Sequence, residues 1–230
     1  DDKIAWYQND GSGGFGSERF ISTTADGATA VYSADIDGDG DMDVLSASYN
    51  DKRIAWYEND GSGGFGNRQV ISIAGANPTS VYTADIDGDG DMDVVSSVGG
   101  TTGWYKNNGS AVFTTNHETI EWAESSYAAD VDSDGDMDLV SASYADDRIA
   151  WRPNDGGGSF GDRRIITTNV DGAKSVYAAD VDGDGDMDVL SASQNDGKIA
   201  WYKNDGSGTF GAQQVISTEA SYANTVYAAD

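Results

Sequence analysis

Apolar and polar positions change over in short runs of about four to six residues, and the same order of runs returns along the whole chain. Val31-Tyr32-Ser33-Ala34, Val44-Leu45-Ser46-Ala47-Ser48, Ile54-Ala55-Trp56-Tyr57 and Gln69-Val70-Ile71-Ser72 are rich in β-branched and aromatic residues and are bounded by Asp, Asn and Gly. That pattern predicts short strands joined by tight turns. No window carries the helical period. In Ile54-Ala55-Trp56-Tyr57 the large side chains fall on both faces of the pleat, so this strand expects a neighbour on each side.

Anchored on Tyr-x-Ala-Asp, the units start at Val31, Val81, Ser126, Val176 and Val226, with spacings of 50, 45, 50 and 50 residues. A period near this length, with four strands per unit, predicts an all-β fold, a β-propeller made of four-stranded antiparallel blades. Residues 31–80, 81–125, 126–175 and 176–225 are then blades, 81–125 being divergent, with a truncated Gly-rich turn and Asn107-Asn108 where other units have Asn-Asp. Residues 1–30 supply the third and fourth strands of a partial blade, and 226–230 the first strand of a further one. Joined head to tail, these ends make a blade lacking 15 residues. Its ladder edges would stay open, so the expectation is a segment of a longer chain, or ends completed by another copy. The stretch from Asn59 to Gly66 reads as a hairpin loop whose glycines supply positive φ and whose Phe65 plugs the blade edge.

Composition fits this picture and removes several functions. Gly is frequent at 30 residues and Pro rare at 2, as turn-rich β proteins require. With no cysteine, disulfides and thiolate metal sites are excluded. The single histidine, His117, stands in a polar stretch of the divergent unit and reads as a loop or exposed strand residue; no catalytic residue is assigned. No apolar run is long enough to span a bilayer, which argues against membrane insertion.

The net charge of −27 is concentrated. Four nine-residue segments hold 20 of the 40 acidic residues, and outside them 20 acids face 13 bases, a balance of only −7. Charge of this sign repels DNA and RNA. Its clustering marks where cations would sit.

In the first segment Asp35, Asp37, Asp39 and Asp43 occupy positions 1, 3, 5 and 9, Gly40 occupies position 6, and Asp41 at position 7 offers its backbone carbonyl. This is the spacing by which a tight loop wraps a hard cation with oxygen ligands, and oxygen donors in a flexible loop select calcium. The pattern recurs at Asp85, Asp87, Asp89, Asp91 and Asp93, at Asp130, Asp132, Asp134, Asp136 and Asp138, and at Asp180, Asp182, Asp184, Asp186 and Asp188. Ser133 replaces a glycine at position 4 of its loop without loss of a ligand. Four calcium sites are therefore expected, one per loop between the first and second strand of each blade. An EF-hand is excluded because position 12 is Ser46, Ser96, Ser141 or Ser191, never Glu, and the flanks are strands. Lacking that bidentate ligand, such sites should bind at the ~10⁻⁴ to 10⁻³ M level of extracellular modules. Being separate in sequence, the loops are expected to bind independently.

The calcium loops, together with the pairs Phe15-Gly16, Phe65-Gly66, Phe160-Gly161 and Phe210-Gly211, resemble the FG-GAP or VCBS repeats of integrin-α-like β-propellers. The resemblance covers essentially the whole chain and implies an extracellular or cell-surface module. Propellers of this kind include integrin heads, fungal lectins and bacterial surface proteins, often with seven blades.

Near-identical units point to an array that presents a repeated surface, serving adhesion, scaffolding or self-assembly with a protein or further copies of itself as partner. A calcium-dependent glycan-binding propeller is the alternative, on the strength of Trp6-Tyr7, Trp56-Tyr57, Trp104-Tyr105 and Trp201-Tyr202, of which Tyr57 and Tyr202 are expected to be exposed. Blade-to-blade packing is the competing account of those aromatics. An enzymatic role, as part of a polysaccharide-degrading protein, has least support, since calcium accounts for the clustered carboxylates.

Overall fold

The computed structural model describes residues 2–73 and 75–229, with the backbone alone over 115–121. Its described residues form strands, turns and loops, with no α-helix. The first sheet has two strands, β1 (Ile4–Trp6) and β2 (Arg19–Ser22). Four sheets of four strands follow. They comprise β3 (Ala28–Ala34), β4 (Asp43–Ser48), β5 (Arg53–Tyr57) and β6 (Gln69–Ile73); β7 (Pro78–Ala84), β8 (Asp93–Val98), β9 (Thr101–Lys106) and β10 (Thr114–Trp122); β11 (Ser125–Ala129), β12 (Asp138–Ser143), β13 (Arg148–Arg152) and β14 (Arg164–Thr167); β15 (Ala173–Ala179), β16 (Asp188–Ser193), β17 (Lys198–Tyr202) and β18 (Gln214–Ser217). Every sheet is an antiparallel meander in chain order.

Packing follows from the pleat. In the second sheet Leu45 stands opposite Trp56 and Val44 opposite Tyr57. The Leu45–Trp56 face packs on Val81, Val94 and Tyr105 of the next sheet, whereas Tyr57 packs on Ile4 and Ala25 of the preceding one. The same alternation places Trp104 against Leu139 in the following sheet and Trp151 against Val189 and Tyr202 in the one after. Each third-strand Trp thus faces forward and each Tyr backward. Full burial of side chains of this size contributes roughly 1.5–3 kcal/mol apiece. The hairpin phenylalanines complete the interfaces: Phe65 meets the Trp6 ring edge-on at 6.4 Å between centroids. Phe160 and Phe210 pack on the groups containing Trp104 and Trp151.

The first strands share a third relationship. Tyr82 stacks on Tyr127 with ring centroids 5.7 Å apart, and Tyr127 meets Tyr177, and Tyr177 meets Tyr227, in tilted pairs at 4.6 Å. First strands of successive sheets therefore run side by side, a propeller-like order. At β1 the order is interrupted, because β1 pairs with β2 alone. Val31, facing that side, is 58% exposed where its counterpart Val81 is 5% exposed.

The divergent unit keeps its turn length: seven residues run from Asn107 to Phe113, as from Asn59 to Phe65, so the turn is not truncated. Its shortening lies elsewhere, in the β8–β9 connection and after Phe113. Gly99 and Gly100 close the β8–β9 hairpin with φ of 59° and 82°, the pair of positive values that a two-residue turn of this hand requires. The outer hairpin of this unit differs from the others: bridges join Asn59 to Phe65, Asn154 to Phe160 and Asn204 to Phe210, and among the described residues none joins Asn107 to Phe113.

Candidate metal centre

Each acidic segment connects the first strand of a four-stranded sheet to the second: 35–43 between β3 and β4, 85–93 between β7 and β8, 130–138 between β11 and β12, and 180–188 between β15 and β16. The aspartate at position 9 begins the second strand and is fully buried in all four. Both of its oxygens accept backbone hydrogen bonds. Asp43 Oδ2 accepts from Ile36 N at 3.0 Å and Oδ1 from Asn59 N at 2.8 Å. Asp93, Asp138 and Asp188 repeat this with Ile86 and Asn107, Val131 and Asn154, Val181 and Asn204. Position 1 folds the loop on itself: Asp35 accepts from the amides of Gly38 and Gly40 at 2.9 and 3.0 Å. Position 4 is left-handed, at φ 78° for Gly38 and 60° for Ser133.

A second set of bonds joins one loop to the next. The buried Asn107 side chain donates at 2.7 Å to Ile36 O, in the loop of the preceding unit, and at 3.1 Å to Met92 O in its own. Asn154 does the same with Ile86 O (2.7 Å) and Met137 O (3.0 Å), and Asn204 with Val131 O (2.6 Å) and Met187 O (3.0 Å). Since Ile36, Ile86 and Val131 also donate to Asp43, Asp93 and Asp138, an unbroken line of hydrogen bonds runs through all four loops. Sequence reasoning missed these asparagines. Their signal was recurrence, one Asn ahead of every Gly-rich turn, at Asn9, Asn59, Asn107, Asn154 and Asn204.

The carboxylates converge in groups able to hold a metal ion. Single oxygens of Asp35, Asp37 and Asp39, of Asp85, Asp87 and Asp93, of Asp130, Asp132 and Asp138, and of Asp180, Asp182 and Asp188 lie within 4.8 Å of one another. The predicted ligands Asp43, Asp89, Asp134 and Asp184 are not among these groups, and neither are the position-7 residues Asp41, Asp91, Asp136 and Asp186, whose carboxylates lie close to Gly61, Gly109, Gly156 and Gly206 of the adjoining hairpin. Within the acidic loops, two buried oxygens, Asp87 Oδ1 and Asp132 Oδ1, have no hydrogen-bond partner among the described residues. Burial pushes Asp93 up to about 7 and Asp138 up to about 6, against the amides that hold them, with the neighbouring aspartates adding to the rise; Asp43 and Asp188 move the same way. An unpartnered oxygen beside carboxylates so crowded fits a cation, because a cation relieves both costs together.

Two loops already receive one from within the chain. Lys106 pairs with Asp87 and, at 2.9 Å, with Asp89; Lys203 pairs with Asp182 and, at 2.9 Å, with Asp184. Arg164, stacked at 4.6 Å on Trp151, stands 3.9 Å from Asp132 at the edge of the third loop.

The aromatic pairs are placed differently from the glycan reading. Tyr57 and Tyr202, expected to be exposed, are fully buried, because the period-2 register turns each onto the preceding sheet. Trp56, Trp104 and Tyr105 are buried as well. Tyr7 alone among the pairs is 51% exposed, on the sheet that has no described neighbour before it. The side chain of His117 lies outside the described residues.

Comparison with known proteins agrees with this architecture. A lectin of Agrocybe aegerita, described for its specific recognition of non-reducing terminal N-acetylglucosamine, is 20% identical over 95% of this chain and 61% of its own, with a TM-score of 0.66. The V. cholerae biofilm matrix protein Bap1 is 18% identical over 91% of this chain and 31% of its own, at 0.54. The NanB sialidase of Streptococcus pneumoniae is 12% identical over 98% and 36%, at 0.53. The chain thus spans less than two thirds of each of these three structures, and at such identities the likeness is one of fold. No curated protein matches the sequence. The model of the FG-GAP-like repeat matches residues 1–46, 35–96, 130–191 and 180–230. Its matched segments carry all four acidic loops, and the chain belongs to the FG-GAP-like repeat family.

Proposed function

We propose that this chain is an extracellular calcium-binding β-propeller repeat module, whose four acidic loops are set by Ca²⁺ and whose repeated surface serves adhesion, scaffolding or self-assembly. The observation that carries the reading is the convergence of carboxylate oxygens in every loop, with Asp87 Oδ1 and Asp132 Oδ1 buried and unpartnered. Donors that are oxygen throughout, in loops turned by glycine, favour calcium over zinc, copper or magnesium. Positions 1, 3, 5 and 9 supply carboxylates, and position 7 its backbone carbonyl. Weak sites of this type fill outside the cell and stay empty in the cytosol. The partner is a protein or a further copy of the chain; the acidic surface disfavours nucleic acid, and no described helix is long and apolar enough to cross a membrane. Native mass spectrometry in millimolar calcium tests the reading: four bound ions per chain support it, and none would end it.

Glycan binding is the second reading, supported by the likeness in fold to the Agrocybe aegerita lectin. It no longer draws on Tyr57 or Tyr202, which are buried. A glycan array with and without calcium separates the two, since a strong calcium-dependent signal on one sugar class favours the lectin reading. We read the module as non-enzymatic: the clustered aspartates are engaged in loop geometry, and the sialidase likeness is one of fold.

A further inference from the structure

The four acidic loops are alike in sequence, yet the residue two places after the third strand's tryptophan differs from unit to unit. It is Glu58 beside the first loop, Lys106 beside the second, Pro153 beside the third and Lys203 beside the fourth. The lysines reach in and pair with the carboxylates at positions 3 and 5, Asp87 with Asp89 and Asp182 with Asp184. At the first loop Glu58 supplies no cation, and instead accepts a hydrogen bond from Gln69 Nε2 at 3.5 Å. At the third, Arg164 approaches only Asp132, at 3.9 Å, and is held to the Trp151 ring.

The lysine satisfies its cage incompletely. Asp87 has a side chain only 8% exposed; its Oδ2 meets Lys106, while its Oδ1 has no hydrogen-bond partner among the described residues. A single ammonium is a point charge with three donors and cannot fill a cage built from several carboxylates. Both lysines keep a large share of their side chains in solvent, 36% and 45% exposed, so each can swing outward when a divalent ion enters. The incoming ion must then displace an ammonium that holds two carboxylates at once, whereas 35–43 has no such lysine and at 130–138 the more distant Arg164 reaches one carboxylate, from the face of the Trp151 ring.

Resting on the calcium reading above, we propose that Lys106 and Lys203 are built-in counter-cations that divide the four loops into two affinity classes. Loops 35–43 and 130–138 bind calcium more tightly; loops 85–93 and 180–188 bind it more weakly, and in its absence are held in shape by their own lysine. Two partly exposed ion pairs at each lysine set the difference on the order of tenfold.

Calorimetric titration of calcium into the full chain, its Lys106→Met, Lys203→Met double variant and a Lys106→Arg, Lys203→Arg control tests this. The wild type and the Arg control should show two tight and two weak sites, and the Met variant four tight ones. In excess chelator the Met variant should melt below the wild type, and in saturating calcium the gap should close. Four equivalent sites in the wild type, unaltered by the Met changes, overturn the lysine assignment and leave the calcium reading standing. Absence of binding in every protein overturns both. A Met variant that melts no lower than the wild type in chelator overturns the counter-cation role whatever the isotherms show.

Discussion

Asn154 Nδ2 lies 2.7 Å from the carbonyl oxygen of Ile86, a residue 68 positions earlier in the neighbouring unit's acidic loop. The same NH₂ group reaches Met137 O at 3.0 Å, so one buried amide ties two loops together. Asn154→Ala leaves both carbonyls without their donor, at a cost of about 1–3 kcal/mol for each that stays dry. The variant should unfold at lower denaturant concentration, with the loss concentrated at the interface of the third and fourth sheets. Hydrogen exchange of the Ile86 and Val131 amides reads that directly.

The relay also changes what to expect of neighbouring loops. Separate in sequence, they invite treatment as independent sites, yet Val131 O accepts from Asn204, whose own amide donates to Asp188. Asp188→Asn should therefore disturb the loop at 130–138 as well as its own. If calcium binding at the other three loops keeps its wild-type affinity, the loops are uncoupled and the relay is only structural.

At the sheet interfaces the limiting contact is between a tryptophan and a glycine. A Cβ on Gly63 would stand 2.8 Å from Trp6 Cζ2, and Gly158 and Gly208 press as closely on Trp104 and Trp151. These glycines also hold left-handed φ, so Gly158→Ala incurs both a clash and backbone strain. We expect a loss of roughly 1–3 kcal/mol, measured by equilibrium unfolding. Ala111, the counterpart that faces Trp56 in the divergent unit, already has φ 54° with a Cβ in place, and Ala111→Gly should be neutral or stabilising.

Much of this was legible in the sequence because every unit repeats it. The strand order, the loop positions between first and second strands, and the Phe plug follow from local patterns that the packing does not override. What was not legible depends on neighbours. The register that turns Tyr57 inward is set by the preceding sheet, which the alternation of one strand cannot locate. The reach of Asn107 to Ile36 spans 71 residues, and the approach of Lys106 to Asp87 depends on how β9 ends beside the β7–β8 loop. The turn of the third unit was misread because its missing glycines at 111 and 112 resemble a deletion, whereas the length is preserved.

Ser133 offers a simple gain. It holds φ at 60° where the other three loops place glycine at 71° to 78°. A non-glycine residue costs roughly 1–2 kcal/mol in that region, offset in part by the greater chain entropy of glycine when unfolded. Ser133→Gly should raise stability by up to about 1 kcal/mol, and a lower melting point would show that the Ser133 side chain has a role of its own.

The pH dependence has opposite signs with and without calcium. Burial raises Asp93 to about 7 and Asp138 to about 6, above the ordinary aspartate value near 3.8. Between those limits the calcium-free folded state binds more protons than the unfolded one. These two groups therefore make the calcium-free protein more stable as pH falls from about 7 toward 4, and that contribution is lost as pH rises. Calcium requires the ionised form, so its stabilising increment should grow from pH 5 to pH 8. Melting curves at both values, with calcium and with chelator, give the four numbers needed; an increment equal at the two pH values contradicts the assignment of Asp93 and Asp138 as ligands.

The central claim is that calcium in the four acidic loops holds this repeat array in its fold. Thermal unfolding of the full chain in excess chelator, set against unfolding in calcium, tests it most directly. At ~100 times Kd a single site taken alone adds about 2.7 kcal/mol, so filling four sites should move the midpoint by well over ten degrees. Coincident curves in chelator and in calcium would contradict the account.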